Sequence, residues 1–399
     1  MNEFFLKKIN KYFTILFSYY WCLIYIESFF NIETFIYLLR VIPISLFVIY
    51  SLSIFVQLRI FRIPVSLMFL LLFTITCILT SLLRSDINNI LSVSLLGFGL
   101  FSVFHFKLSI DYRFINKIFI VSALLSVPLY HFGISDYGYI PGLSKTNLQF
   151  EFLAGRISMF PTVSLSIYFS LFVFFNNLFL NTRKSKYVFL IISFYFIFYG
   201  VSRTSLVVIP IGTILYLLNK YLNLNSIFFS ALFIFVFFIT VSILLVPELI
   251  INSLMGFNIK FINEIFFHNT TNSIDALESF SRYQIWTEHI RLFIENPFGN
   301  LSNNTKLFNP NLVSNGGTES FITKILYQYG VGAFFFYVFI IRYFKEALGA
   351  RDFHGSFFVI LFVVIGLTYG SFFTMTNMLF LIFLSMANPK YVQNRGDFL

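Results

Sequence analysis

The chain has 399 residues, 58% of them hydrophobic, 21% aromatic and only 11% charged. That balance lies outside the range of soluble globular domains and reads as a polytopic membrane protein. The formal net charge of +10 is then a question of sidedness, because basic residues accumulate in cytoplasmic loops.

The N-terminus, MNEFFLKKINKYFTILFSYY, is basic, but no small-residue cleavage site follows its apolar run, so it reads as a retained first helix. Apolar windows of about 15 to 24 residues, sufficient at ~1.5 Å per residue to cross or nearly cross a ~30 Å hydrocarbon core, recur twelve times. They lie near 12–30, 34–56, 63–83, 87–106, 114–132, 157–180, 187–201, 204–219, 226–247, 319–341, 353–371 and 373–387. The expected fold is therefore a single all-α membrane domain over 1–399 with about twelve transmembrane helices. No internal repeat or pair of matching halves is visible.

With the N-terminus inside, the inner loops hold 17 of the 27 basic residues: Lys7, Lys8, Lys11, Arg59, Arg62, Lys107, Arg113, Lys117, Arg183, Lys184, Lys186, Lys220, Arg342, Lys345, Arg351, Lys390 and Arg395. The outer segments are longer, yet hold only Arg84, Lys145, Arg156, Arg203, Lys260, Arg282, Arg291 and Lys306. This asymmetry predicts both termini in the cytoplasm. It also accounts for the positive charge without a nucleic-acid partner.

Two outer segments are long: a smaller loop at 133–156 and a large external loop at 248–318, between helices 9 and 10. In the large loop, Phe280, Tyr283, Trp286, Ile290 and Phe293 form one apolar stripe, predicting an amphipathic helix near 279–295 that lies along the membrane surface. Pro297 ends it, and Asn296-Pro297-Phe298-Gly299 turns the chain.

Metal and nucleotide signatures are absent: the five histidines are scattered, Cys22 and Cys77 fall inside apolar runs, and no phosphate-binding glycine loop occurs. No metal or cofactor is expected. The 60 phenylalanines stand where Leu or Val would serve equally well, so the aromatics are given no recognition role. What remains is a set of outer-facing arginines. Arg156 begins the sixth window, Arg203 sits in the short gap between the seventh and eighth, and Arg282 lies in the loop helix. A guanidinium stays charged and binds phosphate oxygens bidentately, which suits a lipid-linked pyrophosphate. The plainer alternative is an arginine snorkelling to headgroups or capping a helix. Glu319 opens the tenth window, where it caps the helix or accepts a proton. His289 and Glu295 are weaker candidates for the second task, His289 reading more simply as a solvated loop residue.

Four stretches carry a resemblance: GRISMFPTVSLSIYFSLF (155–172), SRTSLVVIP (202–210), SRYQIWTEHIRLFIENPFGN (281–300) and TESFITKILYQYGVGAFFFY (318–337). In this order the chain resembles the Wzy-type O-antigen polymerases and, more distantly, the O-antigen ligases that share their fold. The first match is partial, lacking a Gly and an Asn of the family pattern.

The resemblance implies glycosyl transfer at the outer face of the bacterial inner membrane, from a glycan on undecaprenyl pyrophosphate to a sugar hydroxyl on another lipid-linked repeat unit. It implies as partners these lipid-linked oligosaccharides, membrane lipids, and a chain-length regulator and flippase of the same pathway. The expected catalytic residues are Arg203, Arg282 and Glu319; Arg156, Arg291, Tyr283 and Lys145 join the two arginines in binding substrate. Ligases of this superfamily carry a histidine near the start of the helix after the large loop. Here that place reads Gly317-Thr318-Glu319-Ser320, which favours a polymerase over a ligase. A non-enzymatic flippase for the same lipid is the remaining alternative; two related halves and short external loops would be its signs.

Overall fold

The computed structural model describes residues 3–29, 33–57, 63–85, 87–143, 156–161, 163–200, 203–222, 231, 234–235, 281–299, 320–350 and 352–368. Among them the chain is helical, without strands, and carries one isolated bridge between Gly138 and Ile157. The helices are α1 (Glu3–Phe29), α2 (Glu33–Gln57), α3 (Val65–Leu83), α4 (Ile87–His105), α5 (Tyr112–His131), α6 (Val163–Leu180), α7 (Lys186–Tyr199), α8 (Arg203–Leu222), α9 (Ser281–Glu295), α10 (Phe321–Tyr329), α11 (Ala333–Gly349) and α12 (Phe353–Thr368). A 3₁₀ turn, Gly330–Gly332, joins α10 to α11.

Leu39–Gln57, Val65–Leu83 and Tyr112–His131 are long and apolar enough to cross a membrane, as by length and composition is the stretch Phe321–Gly349, which the Gly330–Gly332 turn interrupts. The chain is thus a helical membrane protein. The window at 373–387, and that at 226–247 apart from residues 231, 234 and 235, lie outside the described residues.

The chain divides into two compact units. The first comprises Met1–Cys22, Ile32–Ile110 and Phe280–Leu399. Here α3 packs on α4 and α11, and α2 on α4. Its core is aromatic: Phe73 lies 5.0 Å from Phe336 and 5.9 Å from Tyr329, and Phe104 lies 5.3 Å from Phe339, ring centre to ring centre. Phenylalanine thus fills the helix interfaces by shape alone. The Asp352 carboxylate accepts from the Gly355 N–H at 3.0 Å, capping α12.

The second unit comprises Leu23–Asn31 and Asp111–Ser279. α6 packs on α5, α7 and α8. Helix association between lipid-immersed helices relies on packing and interhelical hydrogen bonds, since lipid supplies no hydrophobic drive. Such bonds are present between α5 and α6. Asn116 and Asn177 exchange two amide hydrogen bonds of 2.9 Å, and Asn181 Nδ2 donates to Asn177 Oδ1 at 2.9 Å.

The sixth window was expected to be helical from residue 157, but α6 begins at Val163. Pro161 is the reason: it disfavours helical geometry at Phe160 and lacks the N–H a helix would use. Residues 156–161 instead form an irregular segment. The Ser158 side chain accepts from the Phe160 N–H at 3.1 Å, Met159 N–H donates to Ser166 Oγ at 3.1 Å, and Ser158 N–H donates to Gly138 O at 3.1 Å.

Replacing Asn177 by Leu strands the buried Asn116 amide. The Asn177→Leu protein is expected to lose about 1–3 kcal/mol, read as a lower unfolding midpoint in detergent. The double variant Asn116→Leu/Asn177→Leu is expected to be more stable than Asn177→Leu alone; simple additivity of the two losses would refute the pairing.

Candidate functional site

The C-terminal part of the first unit brings together two of the stretches singled out in the sequence. α9 stops at Glu295 because Pro297 disfavours helix at Asn296. The chain then turns, with Gly299 N–H donating to Asn296 O at 2.9 Å, and runs against the break between α10 and α11. Val331 N–H donates to Pro297 O at 2.8 Å. Both close glycines have positive φ, +91° at Gly299 and +58° at Gly330, a conformation that any side chain resists. A Cβ on Gly330 would lie 2.1 Å from Pro297 O and 2.4 Å from Gly299 N.

The break also redirects the chain. The window at 319–341 was expected to be one continuous helix, in which residues 322 and 337 would stand ~22 Å apart along the axis. Instead Tyr337 Oη donates to Ile322 O at 2.6 Å. α10 therefore folds back beside the start of α11, a course the Gly330–Gly332 turn permits. Phe321 packs 5.7 Å from Phe336. Arg84, which follows α3, donates to Gln328 O and lies 5.9 Å over the Tyr329 ring.

α9 packs on α10 through a polar face. His289, expected to be a solvated loop residue, is 2% exposed. Its Nδ1 lies 2.9 Å from Thr323 Oγ1, and its ring stacks on Tyr327 at 4.8 Å with 21° between planes. Thr323 Oγ1 donates in turn to Ser320 Oγ at 2.9 Å, and Ser320 Oγ also accepts from the Thr323 N–H at 3.3 Å as the cap of α10. Burial, reinforced by the Lys324 ammonium against the opposing Glu288 carboxylate, pushes the imidazole pKa down to about 4.

The face of α9 turned to α10 is not the apolar stripe expected along the membrane surface. His289 and Leu292 are buried, whereas Ile290 is 44% exposed and, with Ile294 at 69% and Phe298 at 74%, forms an outward apolar ridge. A partner helix offering hydroxyl and phenol groups draws the imidazole inward, and the isoleucines face away from it.

The other sequence candidates fall as follows. Arg291 is forked between Glu288, at 2.9 and 2.6 Å, and Glu295. Position 282 lies on α9 seven residues before His289, a spacing that returns to the same helical face; α9 also carries position 283. Glu319 and Lys145 lie outside the described residues. In the second unit Arg156 is half-buried, and Arg203 is the first residue of α8. Their segments meet: Ile157 N–H donates to Tyr199 O at 3.3 Å, joining the residue after Arg156 to the end of α7, four residues before Arg203. His289 and Thr323, 34 residues apart, carry no shared periodic signal. The histidine's place on a helix, three residues after Trp286, was the clue available in the sequence.

No known protein family matches this chain, and no curated protein matches it.

Gly330→Ala is expected to lower the unfolding midpoint markedly, because the new Cβ must displace the backbone of the Pro297 turn. Gly349→Ala, where a Cβ meets nothing within 4 Å, serves as the control and is expected to leave the midpoint near wild type. Equal midpoints for the two variants would refute the docking.

His289 predicts a pH dependence. The unfolded imidazole titrates near 6.5 and the folded one near 4, so the unfolded chain binds the extra proton between them. Stability is therefore expected to fall as pH drops from about 6.5 to about 4, by up to roughly 3 kcal/mol. Thermal melts across this range should show His289→Gln with a flatter acid limb than wild type; parallel limbs would contradict the burial.

Proposed function

We propose that this protein is an O-antigen polymerase, transferring a glycan from undecaprenyl pyrophosphate to the sugar hydroxyl of a second lipid-linked repeat unit at the outer face of the bacterial inner membrane. The observation that carries the reading is the docking of the Asn296–Gly299 turn against Gly330, joined by the Val331 to Pro297 hydrogen bond. It unites the third and fourth stretches of the resemblance and sets a polar helix face against an otherwise apolar helical assembly.

The reading includes the finer topology: about twelve spans, both termini cytoplasmic, and one large external loop that presents α9 to the periplasm. In it Arg156, Arg203 and Arg282 bind the diphosphate and stabilise charge as it leaves. Arg203 is the first described residue of α8. A polyprenyl diphosphate is itself the activated leaving group, so the transfer needs no nucleotide.

Deleting the gene in its source bacterium is expected to leave lipopolysaccharide bearing a single repeat unit. Complementation with Arg203→Ala or Arg282→Ala should not restore the ladder although the protein inserts, and Arg203→Lys should restore it only in part. Complete loss of O-antigen from the lipid core would instead indicate a ligase or flippase. Full ladders from both alanine variants would return these arginines to snorkelling.

A further inference from the structure

Resting on that reading, we propose that His289 is the proton acceptor for the attacking sugar hydroxyl, and that Thr323 is the residue that positions it. The argument is one of hydrogen-bond direction. A threonine hydroxyl has one proton to give, and Thr323 gives it to Ser320 Oγ. The contact between His289 Nδ1 and Thr323 Oγ1 must then be a donation from the imidazole, which assigns the neutral ring's proton to Nδ1. Nε2 is left with a bare lone pair, and among the described residues no partner takes it.

Among the described residues, the carboxylates of α9 are engaged. Glu288 and Glu295 both hold Arg291. The ring's remaining neighbours are Lys324 and Tyr327 on α10, with Arg84, which follows α3, held against the end of that helix. A guanidinium has no lone pair to accept with, and burial holds the Tyr327 phenol in its neutral form. Position 282 lies two turns before His289 on the same face of α9, so the proposed diphosphate ligand and the proposed base share one helix.

The step balances without a further reagent. The acceptor hydroxyl's proton passes to Nε2 as its oxygen bonds to the anomeric carbon of the donor. The anomeric C–O bond to the pyrophosphate breaks, and the electron pair leaves with the diphosphate. The imidazolium then returns its proton to water.

The test uses the full-length protein in membrane vesicles from the deletion strain, loaded with that strain's own lipid-linked repeat units, with chain extension followed against pH. Wild-type protein is expected to extend chains, and His289→Gln, present at wild-type amount, to be slower by ~10²-fold or more. Thr323→Val should slow extension and displace its acid limb, and Thr323→Ser, which keeps the hydroxyl, should recover both rate and profile. Extension by His289→Gln within twofold of wild type overturns the proposal while leaving the polymerase reading intact. Should His289→Gln fail to accumulate, the threonine pair decides: a wild-type pH profile for Thr323→Val overturns it. A full ladder in the deletion strain would overturn the polymerase reading itself, and the proton-acceptor role with it.

Discussion

The hydrogen bond from Val331 to Pro297 governs the part of the molecule where chemistry is proposed. A helix interrupted within an apolar stretch exposes backbone groups that hydrocarbon cannot satisfy, and such breaks persist only where protein supplies the partners. Each partner here comes from a different element. Gly330 N–H donates to Leu326 O within its own helix, Val331 N–H to the turn after α9, and Arg84 from the end of α3 donates to Gln328 O. The Tyr337 hydroxyl of α11 donates to Ile322 O and closes the set. α9 cannot leave without breaking the Val331 N–H bond to Pro297 O, so its polar face is held at one position relative to α3 and α11.

That position has a cost. Burying an imidazole in an apolar assembly forfeits its hydration, offset only where hydrogen bonds and stacking replace water. His289 has both, through Thr323 and Tyr327. If the α9–α10 contact served packing alone, a leucine would fill it without the desolvation of a ring and two hydroxyls. The polar chain His289–Thr323–Ser320 instead fixes the orientation of the ring. The pairing of Asn116 with Asn177 is different in kind: each amide finds its complement in the other, and specific association of α5 with α6 explains it fully.

Much of the helical layout was legible because apolar length is a one-dimensional signal. The window at 63–83 became Val65–Leu83, that at 87–106 became Ile87–His105, and that at 204–219 became Arg203–Leu222. The misses arose where a local or a long-range contact outweighed hydropathy. Pro161 delayed α6 by about two turns, although the residues before it are as apolar as those after. The fold-back of α10 depends on a positive φ at Gly330 and on a hydrogen bond between residues fifteen apart, and no window average registers either. On α9 the miss was His289, read as a solvated loop residue and found buried. The buried face was decided by Thr323 and Tyr327, residues that the pattern of α9 itself does not contain.

The same distinction bears on the arginines. Composition could only count them as outer-facing, but their duties differ. Arg84 holds a helix-end carbonyl and Arg291 bridges two carboxylates, so each already has a structural role that neutralises or directs its charge. An arginine so engaged would have to break a bond before gripping a phosphate. A diphosphate ligand therefore has its weakest physical case at Arg291, whose fork is already filled by two carboxylates of its own helix.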